Sequence, residues 1–219
     1  MAKLARLLVA IAGVVPLLMI GSPPVAAASA ATCHVNFVGR DLKAPVGGGA
    51  NIETYTVTND CSVTAGPVST LKADTPEFRA FRTSYGLRKS GSIDPGCNSN
   101  LLYEDVAGII LTSTWLDMNY GYNYNAGQVT SVGPYYDSAS AANDGWYIIS
   151  THLSPWSGPI PYGTVTSSYN GTFAWLYGSF WHSGTDNNRA DGFGVCDGWP
   201  SESGSTVPGG KWVWGVWQT

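Results

Sequence analysis

Short runs rich in Val, Ile, Thr, Tyr and Trp recur along this chain, each bounded by Gly, Pro, Asn or Asp, and this punctuation constrains the fold more than any other feature. β-Branched and aromatic residues suit a pleated, half-buried surface, and the breakers leave little room for long helices. The pattern predicts an all-β chain, a β-sandwich or jelly roll with at most one short helix. The clearest strands are Cys33 to Val38, Asn51 to Asn59, Gly108 to Leu116, Gln128 to Val132, Trp146 to Leu153, Thr172 to Phe180 and Lys211 to Gln218. Turn signals separate them at Gly47-Gly48-Gly49, Asp94-Pro95-Gly96, Asn143-Asp144-Gly145 and Pro208-Gly209-Gly210, and Asn170-Gly171 reads as a two-residue hairpin. The one helix is expected after Asp74 or Thr75, with Pro76 in its first position, Gly86 ending it, and Phe78, Phe81 and Tyr85 on one face. An edge strand from Glu77 to Tyr85 is the competing reading.

Lys3 and Arg6 precede an apolar run from Leu7 to Ile20, followed by Ala26-Ala27-Ala28 and Ala28-Ser29-Ala30 as cleavage sites. Residues 1–30 therefore read as a secretory signal, and 31–219 as a single exported domain with a sub-boundary near 90–96. The run is short for a membrane span, and no later segment approaches the apolar length a span needs. Ala30-Ala31-Thr32 before Cys33 lacks the Leu at −3 and the Gly or Ala at −1 of a lipoprotein signal. In an exported chain four cysteines imply two disulfides, and the pairing Cys33 to Cys61 and Cys97 to Cys196 staples each half without crossing.

The chain carries 11 basic and 15 acidic residues, a net charge of −4. Only Arg189 and Lys211 are basic beyond residue 90, where all nine tryptophans also lie. No basic stripe can dominate such a surface, so nucleic acid is excluded as the expected partner. The earlier cations Lys72, Arg79, Arg82, Arg88 and Lys89 could meet an anionic partner such as a cell-wall polymer or lipid headgroup, or form a solvated face, but pairing with the acidic second half is the preferred reading.

With nine Trp, 12 Tyr and six Phe, the chain has rings to offer a ligand. A sugar presents a flat C–H face on which Trp and Tyr can stack, while Asn, Asp and Gln hydrogen-bond its rim. Strand alternation places Tyr120, Tyr122 and Tyr124 on one face, either towards a core or as a binding platform, and Trp156 sits in a Pro- and Gly-bounded loop suited to exposure. Trp212, Trp214 and Trp217 read as core, with Trp214 and Trp217 on opposite faces.

Glycoside hydrolysis needs two carboxyl groups across the scissile bond. Glu104 as acid with Asp117 or Asp137 as partner is the catalytic candidate. In size and Gly/Ser/Thr/Trp/Tyr-rich composition the chain is similar to small jelly-roll xylanases, which implies catalytic glutamates on strands of an aromatic cleft. It departs from them in lacking the Glu-Tyr-Tyr strand; Tyr103-Glu104-Asp105 is the nearest match, and Tyr135-Tyr136 is followed by Asp137 instead of preceded by Glu. The alternating segment Ile52 to Asn59 resembles a strand of bacterial secreted immunoglobulin-like modules, a local likeness without functional content. No Gly-x-Ser-x-Gly elbow or His-Glu-x-x-His motif occurs, and His182 alone has Ser and Asp nearby. Asp186, Asn188 and Asp191 offer oxygen ligands for calcium if they lie on a tight loop, although the spacing departs from that of an EF-hand; an acidic turn without metal is the plainer reading.

These features predict a secreted, non-catalytic β-sandwich protein that binds carbohydrate or a bacterial envelope polymer through exposed rings. A jelly-roll hydrolase using Glu104 is the alternative, and a protein-binding module is a third class.

Overall fold

A computed structural model describes residues 32–84, 96–142 and 145–218. In chain order the elements are β1 (Cys33–Val38), β2 (Leu42–Lys43), β3 (Gly49–Val57), β4 (Val63–Ala65), β5 (Ser69–Lys72), α1 (Pro76–Ser84), β6 (Gly96–Glu104), β7 (Ile110–Asn123), β8 (Gln128–Ala141), β9 (Trp146–Ser154), β10 (Thr164–Trp175), β11 (Trp181–Asp191), β12 (Cys196–Thr206) and β13 (Lys211–Gln218). The expected leader (1–30), the proposed sub-boundary, Tyr85, Gly86, Arg88, Lys89 and the Asn143-Asp144 part of a turn lie outside the described residues, as does the side chain of Arg82.

The strands form two antiparallel sheets packed as a sandwich. The first runs β1-β12-β11-β10-β9, with β2 also beside β12; the second runs β4-β3-β13-β6-β7-β8, with β5 also beside β3. Strands from either side of residues 85–95 share both sheets, since β1 pairs with β12 and β3 with β13. The two disulfides form in the expected pairing: Cys97–Cys196 joins β6 to β12 across the sheets, and Cys33–Cys61 ties β1 to the turn between β3 and β4.

The inner faces enclose Val35, Tyr55, Leu101, Tyr103, Met118, Tyr120, Val165, Trp212, Trp214 and Val216. A smaller cluster lies on the outer face of the second sheet, where Phe78 and Phe81 of α1 cover Ala50 and Trp217. Its origin is local: Thr75 caps the helix by accepting from the Phe78 amide at 3.2 Å, Glu77 sits in the first turn, and Phe78 and Phe81 are three residues apart on one face. The helical reading therefore prevails over the edge strand, and Trp214 and Trp217 do lie on opposite faces. The outward side of the first sheet has no such cover among the described residues; its outward positions on β10 and β11 remain half-buried or exposed.

Three sequence expectations change. Asn170-Gly171 is not a hairpin but the middle of β10, with Gly171 opposite Gly184 of β11. A Cβ at Gly171 would lie 2.6 Å from Thr114 Cγ2, so glycine here permits close packing between the sheets. The segment Asp186 to Asp191 is not a tight loop but the end of β11. Strands β6 and β12, which are absent from the expected strands, are full members of their sheets.

Candidate functional site

The carboxyl groups considered for hydrolysis are not brought together. Glu104 ends β6 and holds Lys211 Nζ at 3.1 Å. Asp117 stands opposite Asn98 in the same strand pair, six residues further along β6, or ~20 Å away at the usual strand rise. It is 1% exposed and points to the outer side of the second sheet; burial pushes its carboxyl up to about 7. Asp137 is exposed and lies opposite Leu116, one residue out of phase with Asp117, so the two aspartates point to opposite faces. No pair among the three flanks a shared cleft.

The calcium reading fails on the same periodicity. Asp186 and Asn188 alternate inward from β11 and are fully buried, whereas Asp191 accepts the amides of Phe193 and Val195 at 2.9 Å each in the turn that follows. Asn188 donates to the Cys97 and Leu116 carbonyls at 2.8 and 3.1 Å, tying the first sheet to the second. Among the described residues no three His, Cys, Asp or Glu side chains gather as a metal site.

The tyrosine row grades from core to solvent. Tyr120 is buried and accepts from Gln218 Nε2 at 2.9 Å, Tyr122 is partly exposed, and Tyr124 is 66% exposed with its ring 5.7 Å from that of Phe193. Asn119, on the opposite side, is also buried and donates to the Pro134 carbonyl, so this segment is not a two-sided platform. Trp156 packs partly against the core, its ring 5.4 Å from that of Tyr162, instead of standing free in its loop.

Inside the sandwich, Thr112 Oγ1 lies 2.8 Å from His182 Nε2, and His182 Nδ1 lies 3.4 Å from Glu202 Oε1. The order hydroxyl, imidazole, carboxylate is that of an activated nucleophile. All three side chains are buried, and the rings of Tyr103, Trp146 and Phe173 surround the imidazole at 5.0 to 5.4 Å. No substrate can reach them in this conformation, so here the chain of contacts links β7, β11 and β12. His182 stands out in the sequence, but its partners do not, because they come from strands 70 residues before it and 20 after it.

The open side of the first sheet carries the most organised set of accessible groups. Strand register aligns its outward residues in rows across β1, β12, β11, β10 and β9. One row is Asn36, Ser203, Ser183, Thr172 and Ser150; the next is Val38, Ser201, Thr185, Asn170 and His152; the third is Trp199, Asn187, Ser168 and Ser154. The Asn170 amide nitrogen is 2.9 Å from both Ser183 Oγ and Thr185 Oγ1, while Thr172 Oγ1 is 3.1 Å from Ser183 Oγ. These contacts hold the polar groups in fixed positions before any ligand arrives.

Aromatic residues stand at both ends of the rows. At one end the outward position of β11 is Trp181, 44% exposed, with Tyr147 of β9 two strands away at 47%. Beside Tyr147 a shallow depression is lined by Gly145, Trp146, Leu176 and Tyr177. At the other end the Arg189 guanidinium lies 5.6 Å above the Trp199 ring. Arg189 is also ion-paired with Asp41 and, at 2.7 Å, with Asp197; its hydrogen bond to Asp197 and both carboxylate charges raise the pKa of its guanidinium and keep it occupied. Sequence alternation could have marked Thr164, Thr166, Ser168, Asn170 and Thr172 as one polar face, but not its neighbours.

Compared with known protein families, curated proteins and solved structures, the chain matches none. Among the described residues no helix is long and apolar enough to cross a membrane.

Proposed function

We propose that this is an extracellular, non-catalytic carbohydrate-binding protein, and that its ligand lies on the open side of the first sheet. The observation that carries this reading is the set of hydroxyl and amide side chains on β10, β11 and β12, namely Asn170, Thr172, Ser183, Thr185, Ser201 and Ser203, that lies between the Trp181 and Trp199 rings. Rings provide apolar contact to sugar C–H faces, and preordered hydroxyls and amides exchange hydrogen bonds with sugar hydroxyls. Two disulfides are consistent with an oxidising compartment. The separation of Glu104, Asp117 and Asp137 favours binding over hydrolysis.

The test is retention of purified protein on a panel of plant and microbial polysaccharides, with reducing-sugar release measured in parallel. Retention lost in Trp181→Ala and kept in Tyr124→Ala is the expected result. The reverse would move the site to the tyrosine row, and retention on no polymer would reject the reading. Sugar release abolished by Glu104→Gln would replace it with the hydrolase.

A further inference from the structure

We infer that the ligand of this face is a neutral, extended polysaccharide chain laid along the strand direction from Trp181 to Trp199; the inference rests on the carbohydrate-binding reading above. Charge is the first argument. The two rows between the rings contain no Asp, Glu, Lys or Arg, and their one imidazole, His152, stands on β9 at the sheet edge. The nearest cation, Arg189, is held by Asp41 and Asp197 and lies over Trp199, so it is engaged within the protein instead of being presented to a uronate or phosphate. The chain as a whole is net −4 and has only two basic residues beyond position 90, so an acidic polymer would approach against its field. The carboxylates at this rim share one guanidinium, and they stand beyond Trp199, outside the rows that a polycation would have to cover.

Geometry is the second argument. Trp181 and Asn187, the residue opposite Trp199, are six positions apart on β11. That places the two indoles ~20 Å apart along the strand, farther than one or two sugar rings extend. Ser183 and Thr185 of β11, and Thr172 and Asn170 of β10, occupy the interval. A chain that stacks on one indole and follows the strand meets hydroxyls and an amide before it reaches the second. Stacking at both ends rewards length: a short oligosaccharide can use one indole only, whereas a longer chain uses both without a second loss of translational freedom.

The experiment is affinity electrophoresis against hydroxyethyl cellulose, unsubstituted xylan, polygalacturonate and chitosan at low and high salt. It is followed by titration of the disaccharide to hexasaccharide series of whichever polymer retards the protein. The expected result is salt-insensitive retardation by a neutral polymer, with affinity rising at least about tenfold from disaccharide to hexasaccharide. Trp199→Ala should abolish most of that rise, and Trp199→Tyr, which keeps a ring, should retain it; the tyrosine variant guards against loss of fold. Retardation only by polygalacturonate or chitosan, weakened by salt, would overturn neutrality while the carbohydrate reading stands. Equal affinity across the length series would overturn the two-ended path, and retardation by none of the four polymers would count against both.

Discussion

Replacing Asp117 by asparagine is expected to stabilise the protein at pH 8 by a few kcal/mol, and to remove much of the loss of stability that the parent shows between about pH 4 and 7. The carboxyl is buried on β7 without a hydrogen-bond partner among the described residues, and burial raises its pKa from 3.8 to about 7. The folded state therefore binds more protons than the unfolded chain across this window. Stability is fully present below about pH 4 and declines as pH rises towards 7. The shift corresponds to at most about 4 kcal/mol. Asp186 acts in the same direction: burial, with Glu202 adding repulsion, holds its carboxyl well above the ordinary range, and the Thr114 hydroxyl offsets this only in part. Burial also raises Asp197, although Arg189 opposes it. Thermal or urea unfolding of parent and Asp117→Asn from pH 4 to 8 measures the effect. A variant less stable than the parent at pH 8 would mean that the carboxylate has a partner in the folded protein and that its burial is not the governing influence.

The second large effect concerns the disulfide Cys97–Cys196, which joins β6 of one sheet to β12 of the other and closes a sequence separation of 99 residues. Its removal as Cys97→Ala/Cys196→Ala should cost about 5 kcal/mol on the loop-entropy model. For a domain of this size that is a fall in Tm of roughly 10 to 20 °C. The bridge Cys33–Cys61 spans 28 residues, so its removal should cost less, about 3.5 kcal/mol. Calorimetry of the two double variants checks both size and order. A loss under about 1 kcal/mol for Cys97–Cys196 would show that contacts between the sheets, not the covalent tie, carry their association.

How much of this was legible in the sequence depended on what each residue meets across the sheets. The bounds of β1 could be read directly because apolar alternation marks it, those of β13 because a continuous apolar and aromatic run lies between Lys211 and Gln218, and those of α1 through Thr75, Pro76 and the Phe78/Phe81 pair. Strand β11 did not, because its inward positions are His182, Gly184, Asp186 and Asn188 instead of a hydrophobic series. Gly184 resembles a turn residue in isolation, yet a Cβ there would come within 3.0 Å of Leu101 Cδ2 and 2.9 Å of Glu202 Oε2. Asn188 resembles a loop residue until its two inter-sheet hydrogen bonds are seen.

The candidate face was less legible still. Its rows draw on residues from Asn36 to Ser203, and only the lateral register of five strands brings them side by side. The expected strand alternation of Tyr120, Tyr122 and Tyr124 stops at Asn123, where β7 ends and Tyr124 enters a turn, and it could not reveal that Tyr120 lies deep between the sheets while Tyr124 reaches solvent. Trp156 was expected in the open because Pro and Gly flank it, whereas its amide donates to Tyr135 Oη at 2.8 Å and draws the loop against the core. Composition thus indicated rings and small polar groups correctly, and their arrangement into a surface became apparent only in three dimensions.

The most direct measurement of the central claim is titration of isotopically labelled protein with an oligosaccharide of the retained polymer, followed by backbone amide and indole NMR shifts. The account predicts that the largest shifts fall on Asn170, Thr172, Ser183, Thr185 and Asn187 and on the indoles of Trp181 and Trp199. Shifts confined to Tyr122, Tyr124 and Phe193, with the outward positions of β10 and β11 unmoved, would contradict it.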